Sequence, residues 1–551
     1  MEEMSVFAKT IMEQKYSHIK KDGSKESWED IAYRVSKNVM KAVNAPKELN
    51  QKIKRAIEER KFLPGGRYLY ASGRPFHQVQ NCLLLKAEDS REGWADLMQK
   101  ATMALMTGAG IGIDYSSVRG EGKPIRKTGG VSTGPIALMQ MINESGRGIM
   151  QGGNRRSAVW AGLNWKHSDI FKFITLKNWS PEVKALKEKD FNFPATMDGT
   201  NISVLLDDEF FKAYNDDKNT LHSQARAVYR SVIRQMLETG EPGFSIDVGV
   251  NRGETLRNAC TEVTSSDDSD ICNLGSINLA RIGSLEEMQE IVEVAVAFLL
   301  AGTVYSDVPY AKVDQVRTKN RRLGLGLLGL HEWLLMRNKQ YAPDSELEEY
   351  LKIYETSSEI ANKYAKQWEL TTPIKTRAIA PTGTIGIIAE TSTGIEPIFC
   401  AAYKRRYKKG SVSTAYQYVL DPTAKKLVDN HGIHPDTIED AYSLSENIAG
   451  IERRVAFQAF VQQYVDHSIS STINLPAWGS EANNENKVNE FGDMLIKYLP
   501  KLRGITVYPD GARGGQPLVP VKYSTAVKHA GEIFIEQADV CDISKGGSCG
   551  A

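Results

Sequence analysis

Over residues 1–60, apolar positions recur at helical spacing between charged ones, as in ESWEDIAYRVSKNVMKAV and KELNQKIKRAIEERK, which predicts an N-terminal helical region. FLPGGRYLYASGRP interrupts that pattern with Pro and Gly. From 61 to 520, short apolar runs alternate with helical segments and Gly-rich turns, which predicts an α/β domain built on a parallel sheet or barrel. Two of the apolar runs open on cysteine: NCLLL at Asn81-Cys82, and CNLGSINL at Cys272. Residues 521–551 are small, polar and Gly-rich, end in ADVCDISKGGSCGA, and read as a mobile tail.

One polar stretch changes this picture. In Asn258-Ala259-Cys260-Thr261-Glu262, an extended backbone puts Asn258, Cys260 and Glu262 on one face, because side chains alternate along a strand. A thiol between an amide and a carboxylate has the makings of a reaction centre. A polar strand end with a buried cysteine gives the same pattern, since a free thiol packs as a small hydrophobe. Cys272 follows across the acidic turn SSDDSD, and a hairpin-like return brings it back toward the same place. Taken singly, Cys82 and Cys272 read as buried structural cysteines.

Composition excludes several classes. The 551 residues carry 69 basic and 68 acidic side chains, so nothing favours a nucleic-acid partner. The charged N-terminus has no apolar run of a signal peptide. The longest apolar run, IVEVAVAFLLAGTVY, is short for a membrane span and carries Glu293. A cytoplasmic protein without a membrane segment is expected. The six cysteines form no CxxC and no Cys/His spacing that suits zinc, so no metal site is expected; His431 and His434 read as a surface HxxH.

Four glycine-containing stretches carry further signals. Pro381-Thr382-Gly383-Thr384 lies between an apolar lead-in and a helix start, where exposed N–H groups and hydroxyls suit a phosphate; an ordinary capped turn has the same form. GLGLLG at 324–329 matches GxGxxG, but no buried strand precedes it, and close packing of a core helix accounts for its small residues. TGAGIGIDYSSVRGEGKPIRKTGGVSTGP and QGGNRRSAVW offer close backbone approach, with Arg155-Arg156 suited to anions, or else are solvated loops.

In combination and in order, these pieces resemble the catalytic chain of ribonucleotide reductases, most of all the class II, adenosylcobalamin-dependent reductases. The matching motifs are FLPGGRYLY, NCLLL, GAGIGIDYSSVRGEGKPI, TGGVSTGPI, QGGNRRSAVW, HSDIFKFI, NACTEV, CNLGSINL, RRLGLGLLGL, APTGTIGIIAETSTGIEPIF, SISSTINLP and GITVYPDGARGGQPL. The resemblance implies a ten-stranded α/β barrel over 61–520, two antiparallel halves of five parallel strands, with a central finger loop carrying NACTE. It implies that Cys260 becomes a thiyl radical, that Glu262 is the base at the 3′ hydroxyl, and that Asn258 holds the substrate hydroxyls. Cys82 and Cys272 would be the reducing dithiol. Asn81, Gly110, Pro381, Thr382, Gly383 and Thr384 would contact substrate. Gly153, Asn154, Arg155 and Arg156 would lie in the loop that links a nucleoside triphosphate effector to substrate choice.

Cys541 and Cys549 match in role the tail thiols that re-reduce the dithiol by exchange and are themselves served by a thioredoxin or glutaredoxin. Seven residues separate them, a wider spacing than family tails often have. Tyr508 in GITVYPDGARGG stands without the Tyr-Tyr pair of class I chains, and no glycyl-radical motif is present, which favours adenosylcobalamin as cofactor. The alternative is a class I large subunit fed by a separate small subunit. Effector sites of the family often lie at a homodimer interface, and the short N-terminal region leaves no overall activity site expected.

Overall fold

The computed structural model describes residues 3–151, 155–189, 193–249, 252–409, 413–512 and 518–536. Its strands, in chain order, are β1 (Phe62–Pro64), β2 (Cys82–Lys86), β3 (Gly110–Asp114), β4 (Met150–Gln151), β5 (Arg155–Arg156), β6 (Val159–Asn164), β7 (Thr200–Asp207), β8 (Gly243–Asp247) and β9 (Leu256–Arg257). They continue with β10 (Thr264–Ser265), β11 (Asp270–Asn278), β12 (Leu323–Leu328), β13 (Ala402–Lys409), β14 (Ser413–Leu420), β15 (Thr472–Leu475), β16 (Gly504–Pro509), β17 (Leu518–Pro520) and β18 (Phe534–Glu536).

Ten strands form one mixed sheet in the order β1-β11-β2-β3-β6-β7-β8-β16-β15, with β12 on the other side of β11. β2, β3, β6, β7 and β8 pair in parallel. So do β11 with β12 and β15 with β16. The two sets meet antiparallel at β2/β11 and at β8/β16. Beyond the named strands, Leu325 bridges in parallel to Arg377, and Ile379 to Ile469. Strands such as β8 and β12 are buried at every position, as parallel strands covered on both faces must be.

The N-terminal helices Val6–Lys15, Trp28–Lys41 and Lys47–Glu58 form as their patterning predicts. Ser27 and Asp30 close a capping box, and Trp28, Ile31, Ala32, Val35 and Val39 make one buried face. That face shares a core with β11, β12 and the helix Leu285–Tyr305, so the N-terminal region is continuous with the sheet domain. Leu285–Tyr305 holds the apolar run IVEVAVAFLLAGTVY. At 21 residues it is long and apolar enough to cross a membrane, contrary to the expectation from sequence, but it is spent on this core instead. A second core packs the helices Arg91–Met106, Gly134–Gly148 and His222–Thr239 against β3, β6, β7, β8 and β16. A third and smaller one joins Cys82, Leu84, Cys272 and Ala378 to Leu256 and Val263.

GLGLLG opens in strand β12, not in a helix. Its glycines serve strand contacts: a Cβ on Gly324 would stand 2.7 Å from the Asn273 carbonyl oxygen and 3.3 Å from the Cys272 sulfur, and one on Gly326 would stand 2.8 Å from the Ala378 carbonyl oxygen. Residues 518–536 also have regular structure. β17, the helix Tyr523–Lys528 and β18 belong to a second, antiparallel sheet of order β17-β13-β14-β18, where Tyr416 stacks on Phe534 at 5.0 Å. The expected tail from 521 thus begins inside this sheet.

Candidate active site

Asn258, Cys260 and Glu262 lie between β9 and β10, two short strands that pair antiparallel and form a finger. The expected extended backbone is absent. Thr261 N–H donates to the Asn258 carbonyl at 3.0 Å, and Thr261 has φ +70°. The Asn258 side-chain oxygen accepts from Val263 N–H at 3.0 Å. An Asn side chain that binds nearby backbone competes with strand pairing, and that competition turns NACT into a tight bend. A β-branched residue in the left-handed region is strained, and such strain gathers at functional sites.

The finger rests on β3, and glycine makes room for it. A Cβ on Gly112 would stand 1.9 Å from the Arg257 carbonyl oxygen, and one on Gly110 would stand 3.1 Å from the Ala259 Cβ. Beside Gly110, across the parallel pair, stands Cys82; beside Cys82, across the antiparallel pair, stands Cys272. Asn81 ties this row together through its backbone, donating to the Cys272 carbonyl at 3.2 Å and accepting from Gly110 N–H at 2.8 Å. Cys82, Cys260 and Cys272 form no disulfide; Cys82 and Cys272 are buried, and Cys260 is half-buried.

Glu262 is 1% exposed. Burial raises its carboxyl to about 7, against the opposing pull of hydrogen bonds that include Asn258 and Cys82. The Cys82 thiol lies 3.8 Å from one carboxylate oxygen, and the other oxygen has no hydrogen-bond partner among the described residues. Burial pushes both buried thiols well up, Cys82 further because of Glu262 and Cys272 further because of Asp270. The group therefore combines an accessible thiol, a carboxyl that titrates near neutrality, and two protonated thiols on adjacent strands. That set can move protons and store a pair of electrons as a disulfide.

Pro381-Thr382-Gly383-Thr384 forms a tight corner. Thr382 has φ +51°, its hydroxyl accepts from Gly394 N–H at 2.8 Å, and the helix Gly383–Ala389 starts immediately. Gly383 faces open space. Gly153 and Asn154 lie outside the described residues, as do Cys541 and Cys549; Arg155 and Arg156 form β5 and pair with β4. Among the described residues, no cluster of three or more His, Cys, Asp or Glu could hold a metal.

Reading the sequence missed one feature. A cavity of about 850 Å³ opens past the end of β3, walled by Arg91, Arg119, Lys123, Arg126 and Lys127, with Asp89 paired to Arg119 at 2.8 Å. The basic run RGEGKPIRK was the available signal, but its glycines read equally well as a solvated loop.

A mixed sheet that carries a finger with one cysteine above two facing cysteines is an arrangement suited to thiol chemistry. The family described as "Ribonucleotide reductase, barrel domain" matches residues 80–222, 217–368 and 374–508, and the chain belongs to that family. It is similar to the vitamin B12-dependent ribonucleoside-diphosphate reductase of Mycobacterium tuberculosis (strain CDC 1551 / Oshkosh), at 26% identity over 83% of this chain and 71% of the relative. The enzyme of the same name from Thermoplasma acidophilum is 28% identical over 83% of this chain and 64% of its own length. A putative adenosylcobalamin-dependent ribonucleoside-triphosphate reductase of Mycobacterium phage D29 is 25% identical over 90% and 92%.

Proposed function

We propose that this chain reduces ribonucleoside di- or triphosphates to 2′-deoxyribonucleotides by thiyl-radical chemistry and depends on adenosylcobalamin. The observation that carries the reading is the finger turn, which sets Cys260 and Glu262 beside the facing pair Cys82 and Cys272. Relatives that span most of the chain and bear B12-dependent names support the cofactor. Cys260 fits such a group in one respect: it is the most exposed of the three thiols, so a bulky radical source can reach it. When bound, adenosylcobalamin supplies the radical that makes Cys260 a thiyl.

Cys260 then takes the 3′ hydrogen of the ribose while Glu262 accepts the 3′ hydroxyl proton and Asn258 holds the hydroxyls. The 2′ hydroxyl leaves as water with a proton from the dithiol. Cys82 and Cys272 give up two electrons and become a disulfide, their second hydrogen going to C2′; Glu262 returns its proton to the 3′ oxygen, and Cys260 returns its hydrogen to C3′. Tail cysteines Cys541 and Cys549 re-reduce the pair by exchange, with a thioredoxin-type protein as the external reductant. Thr382 to Thr384 hold the substrate phosphates, an assignment supported by the open backbone at Gly383.

The same reading closes the sheet into a barrel. The parallel bridges Leu325–Arg377 and Ile379–Ile469 lead from β12 toward β15, which supports five parallel strands in that half opposite β2, β3, β6, β7 and β8. The basic cavity suits the phosphates of a nucleoside triphosphate effector. β3 runs between the finger contact at Gly110 and Gly112 and the cavity wall at Ser116, which supports coupling of the two sites. Exposed Met103, Met106 and Met141 on the neighbouring helices fit a face covered in a homodimer.

The purified chain with adenosylcobalamin and a small dithiol is expected to form deoxyribonucleotide without any second protein. No turnover under those conditions, with turnover restored by a metal-loaded small subunit, would overturn the cobalamin reading in favour of a class I large subunit.

A further inference from the structure

Beneath the finger lies a set of charges, buried apart from a partly exposed Glu254, that the chemistry above does not use. Glu254 stands two residues before β9. One of its carboxylate oxygens pairs with the Arg322 guanidinium at 2.9 Å. The other takes the Lys375 ammonium and, at 2.6 Å, the Thr264 hydroxyl. Lys375 also donates to the Thr264 hydroxyl at 3.2 Å. Glu254 therefore belongs to one leg of the finger, Thr264 to the other, and a single carboxylate ties both to β12 and to the segment around Lys375.

The network continues into the wall that bears the dithiol. Arg322 donates through Nε to Asp270 at 2.6 Å, and Asp270 also accepts from Ser265 at 2.6 Å and from Asn320 at 2.8 Å. Asp270 stands on β11 two residues before Cys272, so the two side chains share a face. The returning leg has two more anchors: Thr264 N–H donates to His467 Nδ1 at 3.1 Å, and Ser468 N–H donates to the Glu262 carbonyl at 2.8 Å. Burial and the surrounding cations Lys375, Arg322, Arg257 and Arg377 keep His467 neutral, so its Nδ1 stays an acceptor. Two carboxylates and two cations balance one another inside the protein.

We propose that Glu254 is a positioning residue: with Lys375, Arg322 and Thr264 it forms a buried ionic clamp that holds both legs of the finger against the sheet and so sets where Cys260 and Glu262 stand relative to Cys82 and Cys272. The importance of that placement for catalysis rests on the function proposed above; the clamp itself rests on the contacts alone. Buried ion pairs add little net stability because desolvation opposes them, but loss of one partner strands a charge and releases the geometry. Arg322 is the shared element, since it pairs with Glu254 under the finger and with Asp270 on the dithiol strand.

The test compares Glu254→Gln, Lys375→Met and Lys375→Arg in the full chain, by amide hydrogen exchange and by iodoacetamide labelling of Cys260. In Glu254→Gln and Lys375→Met, amides over 256–265 should exchange at least about tenfold faster while β6 and β7 keep their protection. Cys260 should label faster, and kcat should fall with KM retained. Lys375→Arg, which keeps the charge, should restore both exchange and kcat. Thr264→Val strands no charge, and should give a smaller local loosening even where the other variants do not fold. Unchanged finger exchange, or an equal rise throughout the sheet, would overturn the clamp. A loosened finger with undiminished turnover would keep the clamp and remove Cys260 and Glu262 from the chemistry.

Discussion

Cys82 and Cys272 face each other as Cα partners where β2 and β11 pair antiparallel, although they belong to different parallel sets of the sheet. Directly opposed residues on antiparallel strands lie about 4.5–5.5 Å apart at Cα, within the range that a disulfide spans. Mild oxidation should therefore join Cys82 to Cys272 without rearrangement of the sheet. Peptide mapping should find that bond, and dithiothreitol should remove it. With either cysteine changed to Ser, multiple turnover should cease. A bond from Cys82 to Cys260 instead would contradict the register.

Cys260→Ser should abolish deoxyribonucleotide formation by several orders of magnitude while nucleotide binding, read by equilibrium dialysis, stays within about twofold. The side chain is half-buried at the tip of a turn, so its change disturbs little packing. Retained turnover would exclude Cys260 as the radical carrier.

Glu262 gives a pH signature. Its carboxyl titrates near 7 in the folded chain against a reference of 4.5, so the folded state favours the protonated form. Below about 4.5 both folded and unfolded chains hold the proton and the group costs nothing. Stability falls as pH rises from 4.5 to 7, and the full cost, on the order of 3 kcal/mol, persists above 7. Activity that needs the carboxylate rises over the upper part of the same interval. Glu262→Gln should thus be inactive yet melt higher than the parent at pH 8, with the gain shrinking toward pH 4.5. A variant that melts lower at pH 8 would contradict the unsolvated carboxylate.

Gly112→Ala should be far worse than Gly110→Ala. The first puts a methyl 1.9 Å from a backbone oxygen of the finger, whereas the second meets the Ala259 methyl at 3.1 Å. A loss of about 3 kcal/mol or more and of activity is expected for Gly112→Ala, and about 1 kcal/mol for Gly110→Ala, measured by urea unfolding and kcat. Equal effects would argue against a finger pressed onto β3.

Arg119→Ala should weaken the response of substrate choice to added nucleoside triphosphate by roughly tenfold in effector concentration. Basal activity without effector checks the assignment, since a general loss would point to folding instead.

The sequence carried the alternation of strand and helix and the N-terminal amphipathic faces, because these depend on residue type and spacing. It did not carry the bend at NACT. That bend comes from the Asn258 side chain capturing Val263 N–H, an interaction that strand periodicity does not register. GLGLLG misled in a similar way. Its small residues answer to Asn273, Ala378 and Cys272, all distant in sequence. The pairing of Cys82 with Cys272 has no local signature either, and only the resemblance to a family pointed to it. The clamp was out of reach because Glu254, Arg322 and Lys375 come from three separate stretches and look like ordinary surface charges until the fold buries them.

The position of the dithiol has a thermodynamic consequence. A bond between Cys82 and Cys272 acts as a staple that encloses β3 to β10 and the finger in one long covalent loop. Such a cross-link removes freedom from the unfolded chain, by about 4–5 kcal/mol in the entropic account for loops of a hundred residues or more. Under the function proposed above, the molecule would alternate between a stapled, hardier form after each reduction of substrate and an unstapled, softer form once the thiols return. Its melting temperature becomes a gauge of redox occupancy, and in a mixed population the molecules waiting for electrons are the last to unfold.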